Sequence, residues 1–134
     1  MTTETKTLSI QDCDEFTRGY VEAMLFTDFH EHSEGLESKN PDDFSQDMWR
    51  QIIADCKDFS TKYAELLARY DYTYRGYSAA ACAGHDFWFT RNNHGSGFWD
   101  RDIPEELGDA LTKASNTYKE ISPCLGDDGL VYLG

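Results

Sequence analysis

The sequence has few prolines, no long apolar run and no excess of basic residues. Three prolines in 134 residues, with no low-complexity repeat, argue against a disordered chain. No apolar stretch approaches the ~18 residues that a transmembrane helix needs, and the polar N-terminus lacks the apolar segment of a secretory signal. We therefore expect a cytoplasmic protein.

Basic residues are scarce relative to acidic ones. The chain has 12 Lys and Arg against 25 Asp and Glu, a formal net charge of −13. Nucleic acids and anionic membranes attract cationic surfaces, so this balance argues against direct binding to either and favours a protein partner with a basic surface. Residues 1–60 hold 14 acidic and 5 basic residues, so the acidity is concentrated in the first half.

Metal-binding patterns are also lacking. The four cysteines are Cys13, Cys56, Cys82 and Cys124. They form no CxxC pair and no zinc-finger spacing with histidine, so we expect reduced, mostly buried thiols. His30 and His32 lie among carboxylates in the acidic connection 28–44, which we interpret as a solvated loop rather than a metal site. The sequence predicts no metal and no cofactor.

Hydrophobic periodicity predicts two amphipathic helices in the first half. Apolar residues recur in steps of three and four from Ser9 or Gln11 to Thr27, with Ser9 as the N-cap. The same period continues from near Ser45 to about Tyr70. An antiparallel pair is the simplest packing for the two helices.

The second half begins with a tyrosine-rich stretch, 70–77, which we interpret as a loop. Ser78 is then expected to cap an alanine-rich helix that continues to Arg91, although the aromatic residues of 86–91 would also suit a strand. The Asn- and Gly-rich residues 92–95 are typical of a helix end.

The remaining residues predict one more helix and a β-hairpin. Residues 96–101 are expected to form an extended loop or short strand, and Pro104 to lie in the first turn of a helix whose apolar face includes Tyr118. A Gly- and Asp-rich turn at 126–129 separates two β-prone runs.

These elements define the expected fold class. It is α+β and mainly α, with an antiparallel helical core and a small C-terminal β-hairpin. We expect a single domain over residues 1–134, made of an acidic helical half (1–70) and a half with an aromatic, glycine-rich motif and the hairpin (71–134).

The densest polar and aromatic segment is GHDFWFTRNNHGSGFWDR at 84–101. Together with ELGD at 106–109 and GDDG at 126–129, it resembles a pattern in small, mostly uncharacterised proteins of phages and other mobile elements. The resemblance covers the last part of the chain. It implies a mobile-element origin and brings no established activity with it.

The same segment contains a candidate ligand or acid/base site, formed by His85, Asp86, Arg91, His94 and Asp100. This is the alternative function, a small enzyme or a metal- or ligand-binding protein. We favour a structural role, because no nucleophile lies in a recognisable elbow and the arginines, Arg91 and Arg101, can pair with nearby aspartates. The aromatic residues would then fill the core.

The leading hypothesis is a non-enzymatic protein that binds and inhibits a host protein. The target would be a defence nuclease or nucleic-acid-binding complex, contacted by an acidic surface that imitates the phosphates of DNA. The candidate carboxylates are Asp12, Asp14, Glu15, Glu22, Asp28, Glu31, Glu34, Glu37, Asp42, Asp43, Asp47, Asp55 and Asp58. A merely solvated acidic face, and a homodimer that the charge keeps in solution, are the alternatives.

A tyrosine cluster offers a second contact surface. It comprises Tyr70, Tyr72, Tyr74 and Tyr77. Tyrosines in a loop cannot all be core residues, and exposed tyrosines are frequent interface hot spots. In the alternative, two or three of them pack over the helix ends.

Overall fold

A computed structural model describes residues 7–29 and 35–134. Its helices are α1 (Glu15–Met24), α2 (Gln46–Lys62), α3 (Ala64–Arg69), α4 (Ala79–Arg91) and α5 (Glu105–Ser115). Strands β1 (Pro123–Leu125) and β2 (Val131–Leu133) pair antiparallel. The predicted fold class, a helical core with a small C-terminal hairpin, is confirmed. Within the described ranges, no helix combines the length and apolarity needed to cross a membrane.

Serine side chains cap the N-termini of α2 and α4, at the positions that the sequence predicts. Ser45 Oγ accepts a hydrogen bond from the backbone N–H of Met48 at 3.1 Å, and Ser78 Oγ accepts one from Ala81 at the same distance. These bonds satisfy backbone donors that have no partner inside the helix. The helical interpretation of 86–91 is confirmed, because these residues lie in α4.

The predicted first helix is interrupted near its start. Ser9 and Asp12 form a capping box, but it closes only the short 3₁₀ turn Ile10–Asp12. Cys13 is extended, and Asp14 caps α1 by accepting a hydrogen bond from Thr17 N–H at 2.9 Å. A single continuous helix was therefore a wrong prediction, because Asp14 supplies a second N-cap. A π-helical turn, Leu25–Phe29, extends α1 beyond Met24.

The second predicted helix divides at Tyr63. This residue has φ −113° and ψ 29°, outside the helical range, and separates α2 from α3. The i−4 hydrogen bonds of Tyr63 and Leu67 persist at 3.0 Å, so the interruption is a local kink. The hydrophobic period continues through it, and for that reason the sequence predicts one helix here.

Two glycines bring α1 and α4 into backbone contact. A Cβ atom at Gly19 would lie 2.1 Å from the carbonyl oxygen of Ala81, and one at Gly84 would lie 1.9 Å from that of Phe16. Side chains at these positions would overlap the backbone of the facing helix. Only glycine permits such a close approach.

The α1–α4 pair is parallel. Ser78, which caps α4, donates to Glu15 at the start of α1, whereas Trp88 near the end of α4 donates to Thr27. The contacts thus advance in the same direction along both helices. The sequence did not predict this pairing.

Helix α2 lies antiparallel to α1, as predicted. Phe16 near the start of α1 is 5.9 Å from Phe59 near the end of α2, measured between ring centroids. At the opposite end, Phe29 is 5.7 Å from Phe44, which precedes α2. The Phe59 ring also stacks on Phe87 of α4 at 4.1 Å, so residues from both halves of the chain share one hydrophobic core.

Two predictions for residues 96–118 were wrong. Phe98–Asp100 form a 3₁₀ turn instead of an extended segment, with Asp100 N–H donating to the Gly97 carbonyl at 3.0 Å and the buried Phe98 ring 5.6 Å from Tyr70. Helix α5 ends at Ser115, so Tyr118 lies beyond it, although its ring still contacts Phe87 at 5.0 Å.

Buried thiol and phenol groups predict a loss of stability in alkali. Burial raises the pKa of the Cys13 thiol from its ordinary 9.0 to about 11, and it also raises the pKa of Cys56 and Tyr20. In the unfolded chain these groups ionise at lower pH, so unfolding releases protons there. Stability is therefore intact below roughly pH 9 and falls as the pH rises through the folded-state values. Urea unfolding followed by circular dichroism at a series of pH values measures this, and a free energy of unfolding that stays constant up to about pH 11 contradicts it.

Candidate functional site

An open groove of about 480 Å³ lies between α1, the 70–77 loop and α4. Phenylalanine and tyrosine side chains supply five of its lining residues, and acidic or basic side chains supply four. The aromatic residues are Phe26, Tyr72, Tyr74, Tyr77 and Phe89. The others are Glu22, His85, Asp86 and Arg101. We call this feature the aromatic groove.

His85 is fixed on the α4 side of the groove. Its Nε2 atom lies 3.2 Å from Oε1 of Glu22 on α1, and its ring meets Tyr77 edge-on with 4.8 Å between centroids. The Glu22 side chain is 44% exposed, whereas that of His85 is 17% exposed. Glu22 is therefore the carboxylate that an incoming molecule can reach.

Asp86 is buried and fully engaged. It is 1% exposed, and its carboxylate accepts a hydrogen bond from the Tyr70 hydroxyl at 2.6 Å. Arg101 donates to it from Nε at 2.9 Å and from Nη2 at 2.7 Å. A carboxylate held by a bidentate guanidinium and a phenol is not available as a general base.

The same cluster sets the protonation of its members. Burial, followed by the Asp86 carboxylate, raises the pKa of Tyr70, so its hydroxyl remains a donor. Burial disfavours the charged form of Arg101, but the hydrogen bonds and charge of Asp86 outweigh it and raise the pKa of Arg101. The cluster is thus an ion pair between Arg101 and the buried Asp86, to which the neutral Tyr70 donates a hydrogen bond.

The tyrosine cluster is divided between core and surface. Tyr70 is 4% exposed, so its prediction as a contact residue was wrong: its hydroxyl is bound to Asp86 inside the protein. Tyr72 is half-buried under the Arg101 guanidinium, which lies 5.3 Å from its ring centroid. Tyr74 and Tyr77 are 51% and 40% exposed and remain accessible.

Arg91 serves a different part of the molecule. It is 4% exposed, and its Nη1 donates to Asp55 at 2.8 Å and to the Tyr20 hydroxyl at 3.1 Å. Its Nε donates to the backbone carbonyl of Lys119 at 3.0 Å. The arginine therefore ties α2 to the segment after α5. Asp55 is engaged in this buried pair and is not an open surface carboxylate.

The five residues of the candidate ligand site do not meet in one place. His85 and Asp86 line the aromatic groove, but His94 lies in a separate cavity of about 280 Å³, with its Nε2 3.7 Å from Asp28. Asp100 is exposed and lines neither cavity. Chemistry that needs all five residues together is excluded by this arrangement.

Metal-ligand geometry gives the same result within the described residues. Across 7–29 and 35–134, no three His, Cys, Asp or Glu side chains are grouped closely enough to hold a metal ion. His30 and His32 lie outside the described residues, as do the carboxylate candidates Glu31 and Glu34.

Several candidate carboxylates have structural roles. Asp14 caps α1, and Asp12 and Asp43 accept backbone hydrogen bonds from Ser9 and Asn40 in capping boxes. Reversing the charge of these three residues would remove helix caps as well as surface charge. Two further carboxylates accept side-chain hydrogen bonds: Glu15 from Ser78, and Asp58 from Tyr118.

The hairpin brings a second acidic segment beside the first. Val131 forms a parallel bridge with Phe44, and its carbonyl accepts a hydrogen bond from Ser45 N–H at 2.9 Å. Segments 40–47 and 126–134 contain no Lys or Arg. Their carboxylates form what we call the acidic hairpin surface: Asp42, Asp43, Asp47, Asp127 and Asp128.

Tyr132 connects Asp128 of the hairpin with Asp47 of α2. Its hydroxyl donates to Asp128 at 2.6 Å, and this bond, with a smaller effect from the charge of Asp47, raises the pKa of Tyr132. Asp47 also pairs with Arg50 on its own helix. The sequence indicates Asp42, Asp43 and Asp47 as contact residues, but it indicates Asp127 and Asp128 only as turn residues. The hairpin is predicted from the sequence, but its position beside the start of α2, which would have added these two residues to the acidic surface, is not.

No protein-family model, curated protein or solved structure matches the chain.

Proposed function

We propose that this chain is a non-enzymatic binding protein of a phage or similar mobile element. It acts in the host-cell cytoplasm and docks on the basic surface of a host protein, such as a defence nuclease or a nucleic-acid-binding complex. The observation that carries the proposal is the acidic hairpin surface. There, the Phe44–Val131 bridge joins two segments that are distant in sequence, carry five carboxylates between them and contain no basic residue of their own.

Electrostatics explains how such a surface would work. Like charges held close together repel each other, and a cationic partner surface relieves that repulsion. A groove that binds nucleic-acid phosphates presents the complementary pattern of Lys and Arg. The net charge of −13 adds a long-range field that accelerates association with a basic partner.

Charge reversal tests the proposal with a matched control. The test variant carries Asp42→Lys, Asp47→Lys and Asp127→Lys, all at exposed positions without a capping role. The control carries Glu105→Lys, Glu106→Lys and Asp109→Lys, exposed acids of α5. Host proteins that bind the wild type are identified by mass spectrometry, and each is then mixed with all three proteins. Their association rates are then measured against salt.

The expected result is a steep salt dependence. The Debye length shrinks from about 10 Å at 0.1 M to about 3 Å at 1 M, so the association rate of the wild type should fall at least ~10-fold over that range. The test variant should associate about 10-fold more slowly at low salt, and the control within about twofold of wild type. The partner should also lose nucleic-acid binding in the complex. Salt-insensitive association, equal for all three proteins, contradicts the proposal and leaves the acidic surface a means of keeping the chain in solution.

A further inference from the structure

Exposed aromatic side chains converge on one feature of the surface. Six large apolar side chains are exposed among the described residues: Phe26, Tyr74, Tyr77, Trp99, Leu125 and Leu130. Three of them, Phe26 at 60%, Tyr74 at 51% and Tyr77 at 40%, line the aromatic groove. Exposed apolar groups that gather in one concave site are a mark of a binding surface.

The charge in the groove selects a cationic occupant. Asp86 is neutralised by Arg101, so the accessible charge is the carboxylate of Glu22, which is 44% exposed and contacts His85. Phe26 follows Glu22 four residues later on the same helical segment and also lines the groove. A cation there meets both an acid and the negative faces of aromatic rings.

Two tyrosines that line the groove already make this contact with arginines of the chain. The Arg101 guanidinium lies 5.3 Å from the ring centroid of Tyr72, and that of Arg75 lies 5.2 Å from the centroid of Tyr74. A planar guanidinium stacks on aromatic rings and is more weakly hydrated than an ammonium group, so arginine suits these walls better than lysine. Tyrosine and arginine are both enriched among interface hot spots.

We infer that the aromatic groove receives an arginine side chain from a basic segment of the partner, which stacks on Phe26 and Tyr77 and forms an ion pair with Glu22. The inference rests on the proposed function, because a basic partner supplies the arginine. It adds a short-range anchor to the long-range attraction of the acidic surface.

A labelled peptide tests the anchor without knowledge of the partner. The probe is a fluorescein-labelled hexa-arginine amide, with a hexa-lysine amide of equal charge for comparison, and binding is followed by fluorescence anisotropy. The groove variants are Phe26→Ser and Glu22→Gln. Their controls are Trp99→Ser, an exposed aromatic residue outside the groove, and Glu65→Gln, an exposed acid on α3.

The inference predicts saturable binding of hexa-arginine to the wild type. Phe26→Ser should weaken this binding about fivefold or more and Glu22→Gln about threefold, and the controls should stay within about twofold. Hexa-lysine should bind at least about threefold more weakly than hexa-arginine. Circular dichroism of each variant verifies that it is folded.

The other outcomes separate this inference from the proposed function. If hexa-arginine does not bind the wild type, or binds Phe26→Ser and Glu22→Gln as tightly as the controls, the groove is not an arginine site. Equal binding of the two peptides also overturns the inference. None of these results contradicts the proposed role of the acidic hairpin surface, because that role is tested with the host partner and the charge-reversal variants.

Discussion

Replacing Arg101 by methionine is expected to lower the free energy of unfolding by about 3–5 kcal/mol, because it leaves the buried carboxylate of Asp86 without its counter-charge. Asp86 is 1% exposed and would keep only the hydrogen bond from Tyr70. An ionised carboxylate in that position loses its hydration and gains little in return. Urea unfolding of the wild type and the variant at neutral pH measures the loss.

Two further variants make this prediction specific. Arg69→Met breaks an exposed ion pair with Glu106, whose side chain is 78% exposed, and should cost less than about 1 kcal/mol. Adding Asp86→Asn to Arg101→Met removes the unpaired charge and should restore part of the stability. A loss from Arg101→Met no larger than that from Arg69→Met would show that the buried pair contributes little.

Replacing Trp88 by alanine is expected to cost about 3–5 kcal/mol, the range for a large buried aromatic residue. The Trp88 side chain is 0% exposed and lies edge-on to Tyr20, with 5.2 Å between ring centroids. Its Nε1–H donates to the buried hydroxyl of Thr27 at 2.9 Å. The substitution leaves a cavity between α1 and α4 and removes one hydrogen bond that joins them. Thermal and urea unfolding report the change.

A second tryptophan of the same motif provides the control. Trp99 is 46% exposed, so Trp99→Ala should cost much less, about 1 kcal/mol. Trp88→Phe keeps most of the ring volume but lacks the indole N–H, and we expect an intermediate loss of about 1–2 kcal/mol. Equal effects of Trp88→Ala and Trp99→Ala would mean that the motif does not stabilise the fold through burial.

N-cap residues in the sequence predicted most of the helix starts. The pairing of the helices depends on long-range packing, which the sequence did not predict. Ser45 and Ser78 act as caps because their hydroxyls reach nearby backbone donors, and that interaction depends only on neighbouring residues. The pairing of α1 with α4 depends on Gly19 and Gly84, which lie inside helices where glycine lowers helix propensity. A helical glycine becomes informative only when the facing backbone is known.

The candidate site shows the same division. The sequence grouped His85, Asp86 and Arg91 because they are close in one motif, but side chains on a helix diverge. The ion pair of Arg101 with Asp86 agrees with the sequence-based expectation that the arginines pair with nearby aspartates. The partner of Arg91, Asp55, lies on another helix 36 positions away and could not be selected from spacing. The aromatic groove was missed because Phe26 lies in the π-helical turn after α1, far in sequence from the tyrosine loop.

The parallel contact between α1 and α4 has a consequence for the order of folding. Ser78 lies 63 residues after Glu15, yet the two side chains touch. During synthesis α1 leaves the ribosome well before α4, so its glycine-bearing face has no partner until most of the chain exists. Closing so long a loop costs entropy and slows the step that brings the helices together. Nascent chains that end before α4 should therefore remain sensitive to proteases, and resistance should arise late and in a single cooperative step.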